Sequence, residues 1–486
     1  MSTYKLETKI GTNYDVVIVG GGPAGLYCAY NLKTKEPELR VAILEEGLEL
    51  NNRECPAKLE NKRCMKCKVC SIASGVGGAG AFSDGKFPIT NDFGGNLWEK
   101  VGKEMSLRYQ RFVDEVNEKL YNEAMGTTAY TNPFPKLYTS KGSVYKKLCT
   151  QHNLHLMDAD IRHLGTDKGQ IVYRELANRC AELGVVFHTN NKVEDVVPGK
   201  KPYDFTVKTN QFVLEHVKSV VVVAGRSGSK WIKDLCERLK ISTISNRVDI
   251  GVRFECPDEI WNHITKDLYE SKIVYRTETY EDLVRTFCMN PSGTVVTENT
   301  VGGITVNGHS YEDLKLKTEN TNFALLVSKS FTDPFNDSSE YGKAIVQLSN
   351  MLGGGVIVQR YGDLIRGKRS TPARILNNTV RPTLNAEPGD LSLVLPKRIL
   401  DDIIEMIKKL DHLVPGMTND DNLLYGVELK AYNNVVDVDG FFESKYSGLY
   451  FGGDGSGWTH SLSQASANGM IIADNIHDCF NSFKTT

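Results

Sequence analysis

Four segments of the chain are apolar at every position over the length of a short strand: Val16–Val19, VAIL at 41–44, VVVV at 220–223 and LYF at 449–451. Strands that lack two-residue alternation belong inside a parallel sheet whose two faces are both covered by helices. By contrast KVEDVV, YDFTVKT and FVLEHV, between 192 and 217, alternate and read as half-buried strands leading to a glycine junction at Gly225. Helical spacing marks a region from about 96 to 124, then YRELANRCAEL before a glycine stop at Gly184, and the segment 461–476. Between about 245 and 445 the texture changes to mixed strands such as VDIGVRFE and NFALLVS, with helices near 339–352 and 396–410. Because the fourth apolar strand returns only at 448, the expected class is α/β: a discontinuous Rossmann-type domain, 1–244 and 446–486, interrupted by an inserted mixed α+β domain at 245–445.

The turn after the first strand gives this layout its chemistry. Gly20, Gly22 and Gly25 have the G-x-G-x-x-G spacing: one glycine for the tight turn, one for backbone approach to a pyrophosphate, one for helix-on-strand packing. Pro23 and Ala24 open the helix, where Pro suits the first turn and free N–H groups face an anion. Glu45 closes the second strand about 20 residues on, placed to accept from ribose hydroxyls and to repel an added 2′-phosphate. No second G-x-G-x-x-G occurs; Gly353–Gly355 follow a helical pattern and read as its stop, which argues against a separate NADPH domain.

Length of 486 residues allows two or three structural units, and a net charge of −2 gives no overall attraction to nucleic acid or acidic membranes. The first residues lack a secretory h-region and no run of 18 apolar residues occurs, so a cytoplasmic protein is expected. Eleven cysteines at uneven spacing argue against a disulfide scaffold; Cys28, Cys149, Cys180, Cys236 and Cys479 fall in helical patterns as fillers.

The segment GLYFGGDGSG at 448–457, with the helix after it, resembles the C-terminal signature of FAD enzymes of the glutathione-reductase type. That resemblance implies that Gly453 and Asp454 hold the ribityl chain and that FAD, not NAD, is the dinucleotide. GGAGAFSDGK at 77–86, DIGVRFE at 249–255, VRTFCMNPSG at 284–293, NGHS at 307–310, YGVELKAY at 425–432 and GGDGSGWTHSLSQASANG at 452–469 are together similar to the bacterial FAD-dependent dehydrogenases. The resemblance spans nearly the whole chain and implies a flavin oxidoreductase without naming its substrate. Members without the cysteines described next keep the GGAG-x-FSDGK loop, which implies that flavin binding does not need those cysteines.

Gly77, Gly78 and Gly80, in the Cys/Gly-rich stretch 51–87, offer the close backbone approach a flavin ring needs, with Ser83, Asp84 and Lys86 expected beside it. Cys55, Cys64, Cys67 and Cys70 have the ligand style of an iron–sulfur cluster, here [4Fe-4S], although the outlying cysteine is upstream; zinc is the competing ligand, and reduced thiols or a helix with cysteines at i, i+3 and i+6 the metal-free reading. Six Lys or Arg against two Glu between Arg53 and Cys70 would favour thiolates. His460, six residues past Asp454, is a candidate for proton exchange at the flavin; His309 and Arg285 are the candidates from the inserted domain. Arg253, Lys430 and Tyr432 suit an anionic substrate or ordinary salt bridges, and Cys288 a buried strand position.

The expected function is therefore an FAD-dependent oxidoreductase moving a hydride or electrons between flavin and a small organic substrate, fed by an iron–sulfur cluster from a ferredoxin-like donor. The competing readings are a flavin redox sensor or structural zinc protein whose cysteine segment binds a partner, and an RNA-modifying flavoenzyme, which the charge near zero disfavours. No nucleic acid and no membrane are expected as partners.

Overall fold

The computed structural model describes residues 13–60, 65, 67–268, 270–300, 303–310, 314–332, 334–335 and 337–485. The chain forms two compact units: Met1–Lys136, Arg162–Ile244 and Asn433–Thr486 make the first, Leu137–Ile161 and Ser245–Tyr432 the second.

The four all-apolar segments come together in the first unit. Its central sheet runs Leu449–Phe451, Ser219–Val222, β1 (Val16–Val19), β2 (Val41–Leu44), Val186–His188, and every neighbouring pair is parallel. Val16 to Val19 lie opposite Ser219 to Val222 on one side and Val41 to Leu44 on the other, all buried. Burying each such Val, Ile or Leu is worth about 1.5–3 kcal/mol. The crossover from β1 to β2 is α1 (Pro23–Lys35), which packs on the closing helix Leu462–Thr485. Their contact is close because Gly469 has no side chain: a Cβ there would lie 2.0 Å from Ala24 O. From β1 the chain moves first toward β2 and later to the opposite side at Ser219–Val222, so the strand order reverses at the carboxyl end of β1. Open parallel sheets bind ligands at such a reversal.

The alternating segments behave as expected of half-buried strands, forming a separate antiparallel sheet of Val193–Pro198, Phe205–Thr209 and Val213–Val217. The helical region near 96–124 is two helices, Leu97–Val101 and Lys103–Met125, broken at Gly102 with φ +81°. Ser338–Gly353 ends at Gly354, left-handed at φ +64°, so these glycines terminate a helix.

The second unit is built on an eight-stranded sheet in the order Glu387–Pro388, Ile357–Arg360, Leu423–Ala431, Val248–Pro257, Asn320–Lys329, Leu283–Asn290, Ile273–Arg276, His155–Leu156. Its pairs are antiparallel except the first. Ile250, Val252, Phe254 and Cys256 point into a core with Ile403, Met406, Ile407 and Leu410 of the helix Lys397–Leu413. The alternate positions, Asp249, Arg253 and Glu255, are polar yet also fully buried.

The units divide the chain differently from the expected 1–244, 245–445 and 446–486. Residues 137–161 go with the second unit because His155–Leu156 adds a strand beside Ile273–Val274. Residues 433–445 stay with the first because Val435–Val436 pairs with Thr243–Ile244. Short edge pairings of this kind leave no periodic signature in the sequence.

Candidate functional site

Three strand ends of the first unit carry the glycine-rich segments. After β1, Gly20 turns the chain at φ +113°, and a Cβ on it would lie 2.9 Å from Val223 O. Gly25 is more constrained: its Cβ would sit 2.0 Å from Gly20 O. Gly22, at the N-cap of α1 with Pro23 at N1, meets only Gly78 Cα at 3.9 Å. The protein's own packing thus requires glycine at the first and third positions and leaves the second open. An open glycine at a helix N-terminus is the arrangement a pyrophosphate needs, since backbone N–H groups and the dipole then face it directly.

The second strand end brings Glu45. Its carboxylate accepts from the backbone N–H of Gly21 at 2.7 Å, Gly47 at 2.9 Å and Gly75 at 2.9 Å. Three of the roughly four acceptor directions of a carboxylate are thereby used inside the protein. Glu45, expected from the sequence as a ribose acceptor, anchors two loops here and keeps one acceptor direction.

The loop at 75–82 folds against this turn. Gly77 N–H donates to Gly21 O at 2.8 Å, and a Cβ on Gly78 would lie 3.0 Å from Gly22 Cα. Gly75, Gly77 and Gly78 have φ of +124°, +87° and +57°, and a Cβ on Gly80 would meet the Tyr173 hydroxyl at 2.8 Å. Ser83 Oγ donates to Gly80 O at 2.7 Å, and Asp84 pairs with Lys86 at 3.0 Å, so both side chains are engaged locally.

The third strand end follows Leu449–Phe451. Gly453 N–H donates to Asn468 Oδ1 at 2.8 Å, and Asp454 Oδ2 accepts from Arg226 Nε at 2.7 Å. Asp454 Oδ1 is 3.3 Å from His460 Nδ1. Burial would raise the Asp454 carboxyl, but Arg226 and His460 outweigh it and hold its pKa at about 2. Arg226 has no sequence signal beyond its place after Gly225; the ion pair spans 228 residues. A Cβ on Gly225 would meet nothing within 4 Å, and its φ is −73°, so the fold does not demand glycine there.

The cysteine segment is partly visible. Cys55 is half-buried, while Cys67 and Cys70 are exposed thiols. Cys64 lies outside the described residues. Among the described residues no group of three His, Cys, Asp or Glu is arranged as a metal site. Residues 67–70 are irregular rather than helical, and Arg53 Nε donates to Ser71 O just beyond them.

In the second unit Arg285 and Tyr432 converge on Asp249. Arg285 Nη2 donates to Asp249 Oδ2 and to Tyr432 Oη, and Tyr432 Oη donates to Asp249 Oδ2 at 2.7 Å. Arginine pairing keeps the buried Asp249 carboxyl below its usual range despite desolvation. Arg253 is fully buried, reaching Asn322 Oδ1 at 2.9 Å, Cys288 O at 2.8 Å and Glu428 at 3.3 Å. Lys430 sits between Glu428 at 3.4 Å and Glu298 at 3.5 Å. All four groups read from sequence as anion binders are thus committed to protein partners. Cys288 is half-buried at φ +48°, which departs from the buried strand position expected of it. His309 ends the hairpin strand Gly303–His309, opposite Thr294. Around half-buried Phe287 stand Lys272 at 4.6 Å, Arg285 at 5.0 Å and Lys430 at 6.0 Å from the ring centre, a grouping of cations that periodicity could not reveal. Lys272, nearly sealed from solvent beside Glu270, has its pKa lowered by burial.

Parts of the chain are similar to known proteins. Residues 248–431 match the model of the FAD-dependent protein, C-terminal domain-like family, and residues 3–51 match that of the Thi4 family. An uncharacterized protein of Clostridium beijerinckii is 26% identical over 96% of this chain and 81% of its own length. A thiamine thiazole synthase of Coprinopsis cinerea is 59% identical over 34 residues, 7% of this chain and 11% of that protein. Among solved structures, glycine oxidase from Geobacillus kaustophilus aligns at 13% identity and a TM-score of 0.39 over 96% of this chain and 95% of its own. L-proline dehydrogenase from P. horikoshii aligns at 12% and 0.39, over 96% and 94%. No helix among the described residues is long and apolar enough to cross a membrane. The family match at 248–431 and a glycine turn shaped for a dinucleotide at the end of β1 together make the chain similar to FAD-dependent proteins.

Proposed function

We propose that the protein transfers a hydride or an electron pair between FAD and a small organic substrate, and that His460 handles the accompanying proton. When bound, FAD supplies the redox chemistry; the chain supplies binding, orientation and protons. Gly22 and the α1 N-terminus would hold the pyrophosphate, the remaining acceptor of Glu45 the ribose, and Asp454 with Gly453 the ribityl chain. The observation that carries the proton role is the Arg226–Asp454–His460 chain. Asp454 stays ionised down to about pH 2, so it faces His460 Nδ1 as an anion throughout the physiological range and fixes the orientation of the ring.

The polar face of the second unit is the proposed substrate wall, and half-buried Phe287 with Lys272, Arg285 and Lys430 around its ring lies on it. Cys55, Cys64, Cys67 and Cys70 are proposed to ligate an iron–sulfur cluster that receives single electrons from a ferredoxin-like donor. Their spacing and the excess of four positive charges from Arg53 to Cys70 support this reading.

Two measurements test it. His460→Asn should retain the flavin spectrum and lower the rate of flavin reduction by substrate roughly 10²-fold, the usual size of a lost acid–base group; an unchanged rate removes His460 from the reaction. Anaerobically prepared protein should contain iron and acid-labile sulfide, and Cys67→Ser should lose them while keeping FAD. Zinc alone would make the segment structural, and neither metal would leave thiols.

A further inference from the structure

Arg53 is a charged side chain at the centre of the cofactor region that no motif contains. It is 3% exposed, and three of its five N–H donors go to backbone carbonyls: Nε to Ser71 O at 2.8 Å, Nη2 to Ile72 O at 2.8 Å and Nη1 to Val76 O at 2.7 Å. Among the described residues no carboxylate touches it. Its guanidinium lies 4.6 Å from the ring centre of Phe82, and a Cβ on Gly75 would fall 2.5 Å from Arg53 Cδ. Residues 71–82 are therefore wrapped around one buried cation.

Glu45 completes the arrangement from the other side. It collects three backbone N–H groups, from Gly21, Gly47 and Gly75, while Arg53 collects three carbonyls, from Ser71, Ile72 and Val76. The two charges meet across the Gly75–Val76 peptide, whose N-terminal residue is held by the acid and whose C-terminal residue is held by the base. Neither charge is neutralised by direct contact; each is neutralised through the loop it orders. Hydrogen bonds to charged groups are the strong ones, and a planar fork with several donors fixes geometry as a lysine cannot.

We propose that Arg53 is a positioning residue for FAD: with Glu45 it clamps the Gly75–Phe82 loop into the shape that Gly77 and Gly78 present against the Gly21–Gly22 turn. This rests on the FAD assignment. It reaches past the motif because it makes cofactor affinity depend on a side chain outside the glycine turn. The same clamp fixes the base of the cysteine segment, since Arg53 lies two residues before Cys55 and its first acceptor, Ser71, directly follows Cys70.

The test is FAD titration of apoprotein, read by flavin fluorescence quenching and by flavin circular dichroism, for Arg53→Lys, Arg53→Met and Arg53→Ala. Each should bind FAD roughly 10- to 100-fold more weakly, the scale expected when hydrogen bonds from a charged group are lost, with far-ultraviolet dichroism of the apoprotein unchanged. Addition of 1-ethylguanidinium should restore affinity to Arg53→Ala alone. Combining Arg53→Met with Glu45→Gln should cost less than the sum of the single changes, because both release the same loop. Wild-type affinity and an unaltered flavin dichroism in Arg53→Met would overturn the proposal. So would unfolding of Arg53→Lys and Arg53→Met together, which would make Arg53 a residue of the fold. A wild-type protein that takes no FAD would instead defeat the cofactor assignment itself.

Discussion

The two units solve the same problem, presenting polar groups at a sheet, in opposite ways. In the first unit the sheet is apolar on both faces, so polarity appears only at the strand ends, where backbone N–H groups and glycines face a ligand. In the second unit the strands alternate, and one face carries Asp249, Arg253, Glu255, Glu428 and Lys430, all buried. A site made from backbone tolerates almost any side chain except at the positions that must be glycine. A site made from buried charges depends on every partner being present, because a lone buried charge costs far more than a lost contact.

The sharpest break in this comparison is expected from Gly25→Ala. With a methyl 2.0 Å from Gly20 O, β1 and α1 cannot keep their spacing, and the loss should be on the order of 4–5 kcal/mol, enough to abolish the thermal transition of the first unit. A cooperative transition at wild-type temperature would refute the packing argument.

Next in size is Arg285→Met in the second unit. Removing one partner of the buried pair leaves Asp249 with Tyr432, Ser328 and only the more distant Arg247 at 4.0 Å, and should cost about 3–5 kcal/mol in denaturant unfolding. Flavin content should stay intact; its loss would show that Arg285 serves the cofactor.

Gly22→Ala sharpens the contrast with Gly25, three residues away. Its methyl meets only Gly78 Cα at 3.9 Å, so apoprotein stability should change by less than about 0.5 kcal/mol. FAD affinity should nevertheless fall roughly a hundredfold, about 2.7 kcal/mol, when the methyl reaches the pyrophosphate. Equal losses at both glycines would erase the distinction between fold and ligand requirements.

The smallest effect concerns Asp402 on the helix Lys397–Leu413, which faces Asp282, Thr277 and Lys329. Burial and the neighbouring Asp282 raise its pKa to about 6, whereas Asp282, held by Arg398 and Lys329, is lowered to about 2. A raised carboxyl binds its proton more tightly in the folded state, so its contribution is full below about pH 4, the unfolded value, and is lost as pH rises through 6. Asp402→Asn should therefore melt about 2 °C above wild type at pH 7–8 and equal to it at pH 4. A gain that is the same at every pH would remove proton sharing as its cause.

Much of the first unit is legible in the sequence because its information is local. Uninterrupted apolar runs predict β1, β2 and two more parallel strands, and the spacing of Gly20, Gly22 and Gly25 predicts the turn and helix that follow. Arg226 and Arg53 are invisible there for the opposite reason. Arg226 reaches Asp454 across 228 positions, and Arg53 binds carbonyls, which every residue carries and which leave no trace in side-chain identity. Glu45 stands out by its place after β2, yet its three internal N–H partners can be counted only once Gly47 and Gly75 are folded beside it.

In the second unit the balance shifts. Arg285, Lys430 and Tyr432 stand out by residue type, but whether each binds a substrate or a neighbour depends on which strands adjoin. The strand at 248–257 lies between 320–329 and 423–431, and that order places Asp249 within reach of Arg285 and Tyr432. The sequence by itself determined the apolar strands of the parallel core and the glycine turn, since each follows from burial periodicity and backbone freedom within about 30 residues. Tertiary structure alone decided the edge pairings that set the unit boundaries, the committed salt bridges of the second unit, and the Arg53–Glu45 clamp. These depend on electrostatic and hydrogen-bond partners brought together from distant positions, and short-range pattern carries no record of such distances.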